Sequence, residues 1–200
     1  MIIIIISGDM NYIDNIVNNN FDFLHSADFD INYTIKSEDN DSVFMYAMYA
    51  SSLDYCKALL DFSPNLLFQN DLKENIIHNI VLGNNVEKLC WILKTKPEIR
   101  PLMDSKNIDE ETPLMAAIQL GFYEMAIALI DFGADVTIPM KDNITPIHAA
   151  CFEGDFHLVK KILDSGANVF VKADDGSYPL SWAVNNNHKQ IVRYIVDRYY

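Results

Sequence analysis

The sequence predicts an all-α protein, a solenoid of stacked helix-turn-helix units. Two observations support this fold class. The triplet Thr-Pro-Leu at Thr112 recurs as Thr-Pro-Ile at Thr145 and as Tyr-Pro-Leu at Tyr178, so the spacing is the same both times. The segment LIDFGADV at 129–136 returns as ILDSGANV at 162–169, at that same spacing. Self-similarity at a fixed period of this length is the sequence signature of a repeat architecture.

The repeat continues towards the N-terminus in a weaker form. NIIHNIVLGN at 75–84 aligns with TPIHAACFEG at 145–154, and SVFMYAMYAS at 42–51 lies one period before it. The segment at 2–17 resembles the helical part of a unit without its opening turn, with Gly8 in the place of the mid-unit glycine. A short insertion would then separate this first unit from the next.

These alignments predict a single domain over residues 1–200. Because terminal repeats need a polar outer side, we expect them to be atypical. The predicted order is an N-terminal partial capping unit with an insertion, four repeats and a C-terminal capping repeat, over residues 1–36, 37–69, 70–106, 107–139, 140–172 and 173–200.

Helix boundaries within a unit follow from residue chemistry. Thr145 is suited to an N-cap, because its hydroxyl can accept a backbone N–H of the first turn. Pro146 suits the first helical position, where its missing N–H costs nothing. Gly154 can end the helix in a left-handed conformation. The preceding repeat carries the same three roles at Thr112, Pro113 and Gly121.

The unit Thr-Pro-Leu-His-x-Ala-Ala-x-x-Gly, closed by Gly-Ala-Asp/Asn-Val and repeated at this fixed period, resembles the ankyrin repeat. The resemblance is strong in the last three units and weaker in two others. It implies two antiparallel helices per unit with projecting β-turn or hairpin loops. It also implies that His148 and His78 brace the repeats, through hydrogen bonds from the ring to nearby backbone and to the capping residue.

The resemblance further implies a non-enzymatic protein–protein interaction module, a regulatory adaptor or, if the source is a pathogen, a protein acting on a host. Ankyrin repeats bind partners on a concave surface formed by the loop tips and the exposed side of the first helices. The residues that match this surface, or project from the acidic tips, are Tyr49, Leu72, Ile108, Glu111, Gln119, Leu120, Asp142, Ile144, Phe152, Glu153, Asp174 and Asp175.

The net charge of −13 limits the class of partner. Nucleic-acid binding depends on Lys and Arg, and an acidic surface repels anionic membranes. We therefore expect a protein partner, a basic one, and neither nucleic acid nor membrane. The acidic turns have two interpretations, solvated loops that keep the array soluble or an acidic ridge facing the partner. We expect a monomer in the cytoplasm, delivered into a host cell if the source is a pathogen.

Cys151 and His148 suggest an alternative function, a thiol-dependent enzyme or redox sensor. Against it, the other units carry core residues in place of Cys151, and no third residue that would orient the pair is evident. Cys56, Cys90 and Cys151 form no Cys-x-x-Cys pair, and no histidines have zinc-like spacing. We expect no catalytic residue, no metal and no cofactor.

Overall fold

The computed structural model describes residues 2–36 and 39–200, with side chains from Gly8 onward. The chain forms two compact units, Met1–Leu102 and Met103–Tyr200. In the first unit lie α1 (Ile2–Val17), β1 (Thr34–Ile35), β2 (Asp41–Ser42), α2 (Val43–Ala50), α3 (Leu53–Leu60), α4 (Ile76–Leu82) and α5 (Val86–Thr95). In the second lie α6 (Pro113–Gln119), α7 (Tyr123–Asp131), α8 (Pro146–Glu153), α9 (Phe156–Asp164), α10 (Pro179–Asn185) and α11 (Lys189–Tyr199).

Helix pairs form the repeats in both units, as predicted. The first helix of one repeat packs on the first helix of the next, α2 on α4 and α6 on α8 on α10. Short 3-10 helices lie outside the pairs, over Phe21–His25, Pro97–Asp104 and Lys141–Asn143. No helix within the described residues is long and apolar enough to cross a membrane.

Polar caps and left-handed residues set the helix boundaries. The side chains of Ser42, Asn75 and Thr112 accept backbone N–H groups from the first turns of α2, α4 and α6. These bonds satisfy donors that the helix itself leaves unpaired. Gly154 follows α8 with a φ of 89°, so the predicted left-handed ending is confirmed.

The projecting loops close in a repeated way. In each tip the N–H of the first residue donates to the carbonyl of the fourth residue after it, at 2.8–3.0 Å, in the pairs 70/74, 107/111, 140/144 and 173/177. Neighbouring tips also bond to each other, since the N–H of Asp71 donates to the Asp39 carbonyl and that of Asp174 to the Asp142 carbonyl. The predicted tip at 37–41 begins with Ser37 and Glu38, which lie outside the described residues.

The N-terminal segment is one continuous helix, α1, which runs through Gly8. Gly8 therefore lies inside a helix, whereas the mid-unit glycine Gly154 ends one. The position instead accommodates Tyr33, since a Cβ on Gly8 would lie 3.0 Å from the Tyr33 hydroxyl oxygen. That hydroxyl donates to Asp9 at 2.6 Å, and the ring stacks on Tyr12 with centroids 4.2 Å apart. The early insertion thus packs as an aromatic cluster against α1.

Lys88 is a buried cation that connects α5 to the end of α2. Its Nζ donates to the carbonyls of Ala47 and Met48 at 3.1 and 2.8 Å. A helix C-terminus leaves such carbonyls without partners inside the helix and attracts positive charge. Burial lowers the pKa of Lys88, so these bonds offset a desolvation cost.

Tyr55 on α3 has a fully buried side chain whose hydroxyl has no hydrogen-bond partner among the described residues. Because a buried polar group without a partner costs about 1–3 kcal/mol, Tyr55→Phe is expected to raise the free energy of unfolding by roughly 1 kcal/mol. Chemical denaturation measures this change. Tyr200→Phe, at an exposed ring, is the control and should change nothing.

The gain from Tyr55→Phe should grow in alkali. Burial raises the pKa of Tyr55 to about 12. Above the unfolded value of about 10 the unfolded chain loses the phenolic proton while the folded chain keeps it, so the wild type loses stability as the pH rises towards 12. A lower stability for Tyr55→Phe at neutral pH would mean that the hydroxyl has a partner.

Candidate functional site

His148 in the first turn of α8 is completely buried. Its Nδ1 lies 2.9 Å from the Thr145 hydroxyl and accepts the Thr145 backbone N–H at 3.3 Å. The Thr145 hydroxyl is therefore within hydrogen-bond distance of the histidine ring. His78 repeats this geometry in the first unit, where its Nδ1 accepts the backbone N–H of Asn75. Both histidines thus hold a helix start together.

Cys151, the nucleophile of the alternative hypothesis, is also completely buried. Burial raises the pKa of its thiol to about 12, whereas a reactive cysteine needs a lowered pKa and access to solvent. Burial also lowers the pKa of His148, against smaller effects of the Ser177 backbone and Asp175. Within the described residues no group of three or more His, Cys, Asp or Glu side chains could hold a metal ion.

Exposed apolar side chains of the second unit lie where the first helices end. Phe152 is 50% exposed and Leu120 is 47% exposed, although both follow buried helical turns. Ile108 on a loop tip is 47% exposed, and Ile144 on another tip is half-buried. The side chains of these four residues are accessible to solvent, as a partner-binding role requires.

Phe152 and Trp182 form an aromatic wall. Their ring centroids lie 6.0 Å apart in an edge-to-face arrangement. On one side the two rings and Asn185 line a cavity of about 340 Å³. On the other side Trp182 lines a second cavity of about 230 Å³. Trp182 therefore lines both cavities, and the name aromatic wall is used here for Phe152 and Trp182.

Carboxyl groups of two loop tips surround the smaller cavity. Asp142, Asp174 and Asp175 line it together with Ile144 and Trp182. The three aspartates are exposed, and none of them has a salt bridge within the part of the chain that the structure describes. The hydrogen bonds from Ser177 lower the pKa of Asp175. Negative charge is therefore concentrated beside the aromatic wall.

Two lysines partly offset the negative charge of the tips, Lys106 before the tip at residues 107–111 and Lys141 beside Asp142. Lys141 pairs with Asp109 at 3.3 Å, and Lys106 lies 3.9 Å from Glu110. Exposed pairs of this kind are worth little in stability but cancel local charge. The tips of the second unit are therefore mixed in sign at residues 106–111, and acidic at Asp142, Asp174 and Asp175, with the exposed Lys172 next to the last tip.

The remaining predicted residues of this unit are tied to neighbours. The Gln119 amide donates to the Met140 sulfur at 3.2 Å, joining the end of α6 to the next tip. Burial and then Asp109 raise the pKa of Glu111. Glu153 lies beside the Tyr123 hydroxyl and, after burial, contributes to raising the pKa of Tyr123.

Two predicted residues belong to the first unit. Tyr49 ends the exposed side of α2 and is 46% exposed, with its ring 6.0 Å from that of Tyr46. Leu72 is half-buried in the tip at residues 70–74, where its N–H donates to the Asn70 side chain. Tyr49 is the more accessible of the two.

Trp182 and His188 are the residues of this surface that sequence reasoning missed. Trp182 occupies the register position that Ala116 and Ala149 hold in the two preceding repeats. A large ring where the other repeats have a small residue was the sequence signal that could have identified it. The Nε2 of His188 lies 2.8 Å from the Phe152 carbonyl oxygen and holds the end of α8.

In a comparison with protein families, the family described as ankyrin repeats (3 copies) matches residues 44–140, 77–173 and 147–200. The chain belongs to the ankyrin-repeat family. A comparison with curated proteins gives no match. The ankyrin repeat accounts for the helix pairs, for the hydrogen-bonded loop tips and for the histidines that brace the helix starts. Members of the family generally mediate protein–protein interaction and are typically not enzymes.

Proposed function

We propose that the chain is a non-enzymatic interaction module whose second unit binds a protein partner through the aromatic wall and the adjacent acidic tips. The observation that carries this proposal is that Phe152 and Trp182 are partly exposed and in edge-to-face contact, and that Trp182 lines the same cavity as Asp142, Asp174 and Asp175. Aromatic side chains in such positions supply most of the binding energy in many interfaces.

The acidic tips favour a basic partner. A protein with a net charge of −13 attracts positive surfaces at long range, and the exposed aspartates at the cavity continue this attraction at contact. Polar groups at the edge of an aromatic centre also match the usual anatomy of an interface. The partner surface that fits is therefore basic with an apolar centre.

The module itself supplies no chemistry in this proposal. The residues considered for catalysis, Cys151 and His148, are buried and serve the core and the helix start. We propose a monomeric adaptor in the cytoplasm, and the free cysteines Cys56, Cys90 and Cys151 support a reducing compartment. In a pathogen the same surface would act on a host protein.

Affinity capture from cell extract tests the proposal, with bound proteins quantified by mass spectrometry. Phe152→Ala removes the ring of the aromatic wall, and Asp174→Lys reverses one charge at the acidic tips. We expect each variant to retain the specific partner at least about tenfold less well than the wild type, since losing a central anchor typically costs about 1.4 kcal/mol or more.

Matched controls use exposed residues away from this surface. Phe170→Ala removes an aromatic ring that is 48% exposed and lies against Tyr200, and Asp197→Lys reverses an exposed acid on α11. Both controls should retain the partner. Equal retention by all five proteins, each with an unchanged melting temperature, would contradict the proposal.

A further inference from the structure

A cavity of about 280 Å³ lies in the first unit, apart from the aromatic wall. It lies between the loop tips and the first helices α2 and α4. Ligand pockets for small molecules usually enclose about 300–1,000 Å³. A cavity of this size fits one long side chain better than a whole metabolite.

The floor of the cavity is a buried network of polar side chains. Asp41 accepts the Asn70 amide at 2.8 Å with one carboxylate oxygen and the Asn79 amide at 2.6 Å with the other. The bond to Asp41 fixes the orientation of the Asn79 carboxamide, because only its nitrogen can donate. Its Oδ1 therefore remains as the acceptor.

This acceptor has no partner. Asn79 is 3% exposed, and its Oδ1 makes no hydrogen bond within the described residues. Buried side-chain oxygens almost always accept a hydrogen bond, and an unpaired one at a cavity indicates a missing donor. Because Asp41 also faces this cavity, a positively charged donor fits best.

The walls favour a planar cation. Tyr46 and Tyr49 line one side with their rings at 63° to each other, and Leu82 adds an apolar surface. Aromatic faces attract cations and stack on a flat guanidinium group. At the rim, Asp39 and Glu74 contribute carboxylates that have no salt bridge among residues 2–36 and 39–200.

We propose that this cavity binds an arginine side chain of the protein partner, an inference that rests on the proposed function. A guanidinium group carries five N–H donors in a fixed plane, so it can bond to the Asn79 Oδ1 and to carboxylates on more than one side at once. A lysine ammonium is more strongly hydrated and does not stack in this way. The cavity would thereby recognise one arginine of the partner specifically.

Nuclear magnetic resonance titration of the full chain tests this inference without a partner. The probe is N-acetyl-arginine amide, and the signals followed are the side-chain amide of Asn79 and the methyl groups of Leu82. We expect saturable shifts at both residues with the arginine probe. N-acetyl-citrulline amide, which has nearly the same shape without the charge, should cause no shifts, and the lysine analogue should bind at least about fivefold more weakly.

Variants connect the binding to the cavity. Glu74→Gln combined with Asp39→Asn removes two carboxylates at the rim and preserves shape, and should weaken the arginine probe at least about fivefold. Asp61→Asn combined with Asp22→Asn removes two exposed acids elsewhere in the same unit and should have no effect. Equal binding of citrulline or lysine, or equal weakening by both double variants, would overturn the inference.

The two proposals fail separately. If the arginine probe does not shift Asn79 while Phe152→Ala still releases the partner, the arginine cavity is wrong and the binding surface of the second unit stands. If the probe binds but Phe152→Ala retains the partner, the cavity is supported and the proposed role of the aromatic wall fails.

Discussion

Replacing Gly154 by alanine is expected to lower the free energy of unfolding by about 3 kcal/mol. A φ of 89° places this residue in the left-handed region, which costs an L-residue roughly 1–2 kcal/mol. An added Cβ would also lie only 2.6 Å from Nε2 of His188. The ring would have to move and give up its contact with the Phe152 carbonyl, a hydrogen bond worth about 1 kcal/mol.

Gly166 separates the two causes of this loss. Its φ is 101°, yet a Cβ there would meet nothing within 4 Å. Gly166→Ala should therefore lose only the backbone part, about 1 kcal/mol. Combining Gly154→Ala with His188→Ala should reduce the cost of Gly154→Ala to the same value. Equal losses for the two glycines in the wild-type background, measured by urea denaturation, would show that His188 does not constrain the turn.

His148→Ala is expected to lower the free energy of unfolding by a similar amount, about 3 kcal/mol. The change leaves a cavity in a fully buried site and removes the acceptor of the Thr145 N–H. It also removes the ring that contacts Trp182 at 5.4 Å between centroids. His157→Ala, at an exposed position of α9, is the control and should stay within about 0.5 kcal/mol of the wild type.

His148 should also make the fold sensitive to acid. Burial lowers the pKa of His148, so below the unfolded value of about 6.5 the unfolded chain binds a proton before the folded chain does. Stability contributed by the neutral ring is present above this pH and is lost as the pH falls towards the folded value. The free energy of unfolding of His148→Ala should therefore fall less than that of the wild type between pH 7 and pH 5. Parallel pH profiles would contradict this role of the ring.

The fixed period of the repeat made most of the fold predictable. Helix starts at Thr112 and Thr145 and the helix end at Gly154 depend on neighbours a few residues away, so local chemistry determined them correctly. The role of His148 came from the resemblance to the ankyrin repeat, and its partner Thr145 lies in the same helical turn. Each repeat forms the same short-range contacts, so the contacts of one well-formed unit predict those of the others.

Contacts between distant residues could not be predicted. Tyr12 on α1 stacks on Tyr33, which lies in an insertion without a counterpart in the other repeats, so the repeat alignment cannot predict this contact. Lys88 contacts carbonyls more than one repeat away in sequence. The arginine cavity depends on Asp41 and Asn79, which lie in successive repeats and become one network only after the two repeats stack.

The candidate surface was predictable in part. Phe152 and Leu120 were identified because their register positions face outward in the family, and both are exposed. Trp182 was not identified, since its register position holds alanine in the two preceding units. A large residue at a position of small ones marks a departure from the repeat, but its role depends on residues that become its neighbours only in the folded chain.

Site-specific crosslinking tests the central claim that partners bind at the aromatic wall. A photoreactive phenylalanine analogue replaces Phe152 in one protein and Phe170 in another, two rings with similar exposure of 50% and 48%. After irradiation in cell extract, we expect a discrete crosslinked protein from position 152 that is absent from position 170. The same products from both positions, or a discrete product from position 170 alone, would contradict it.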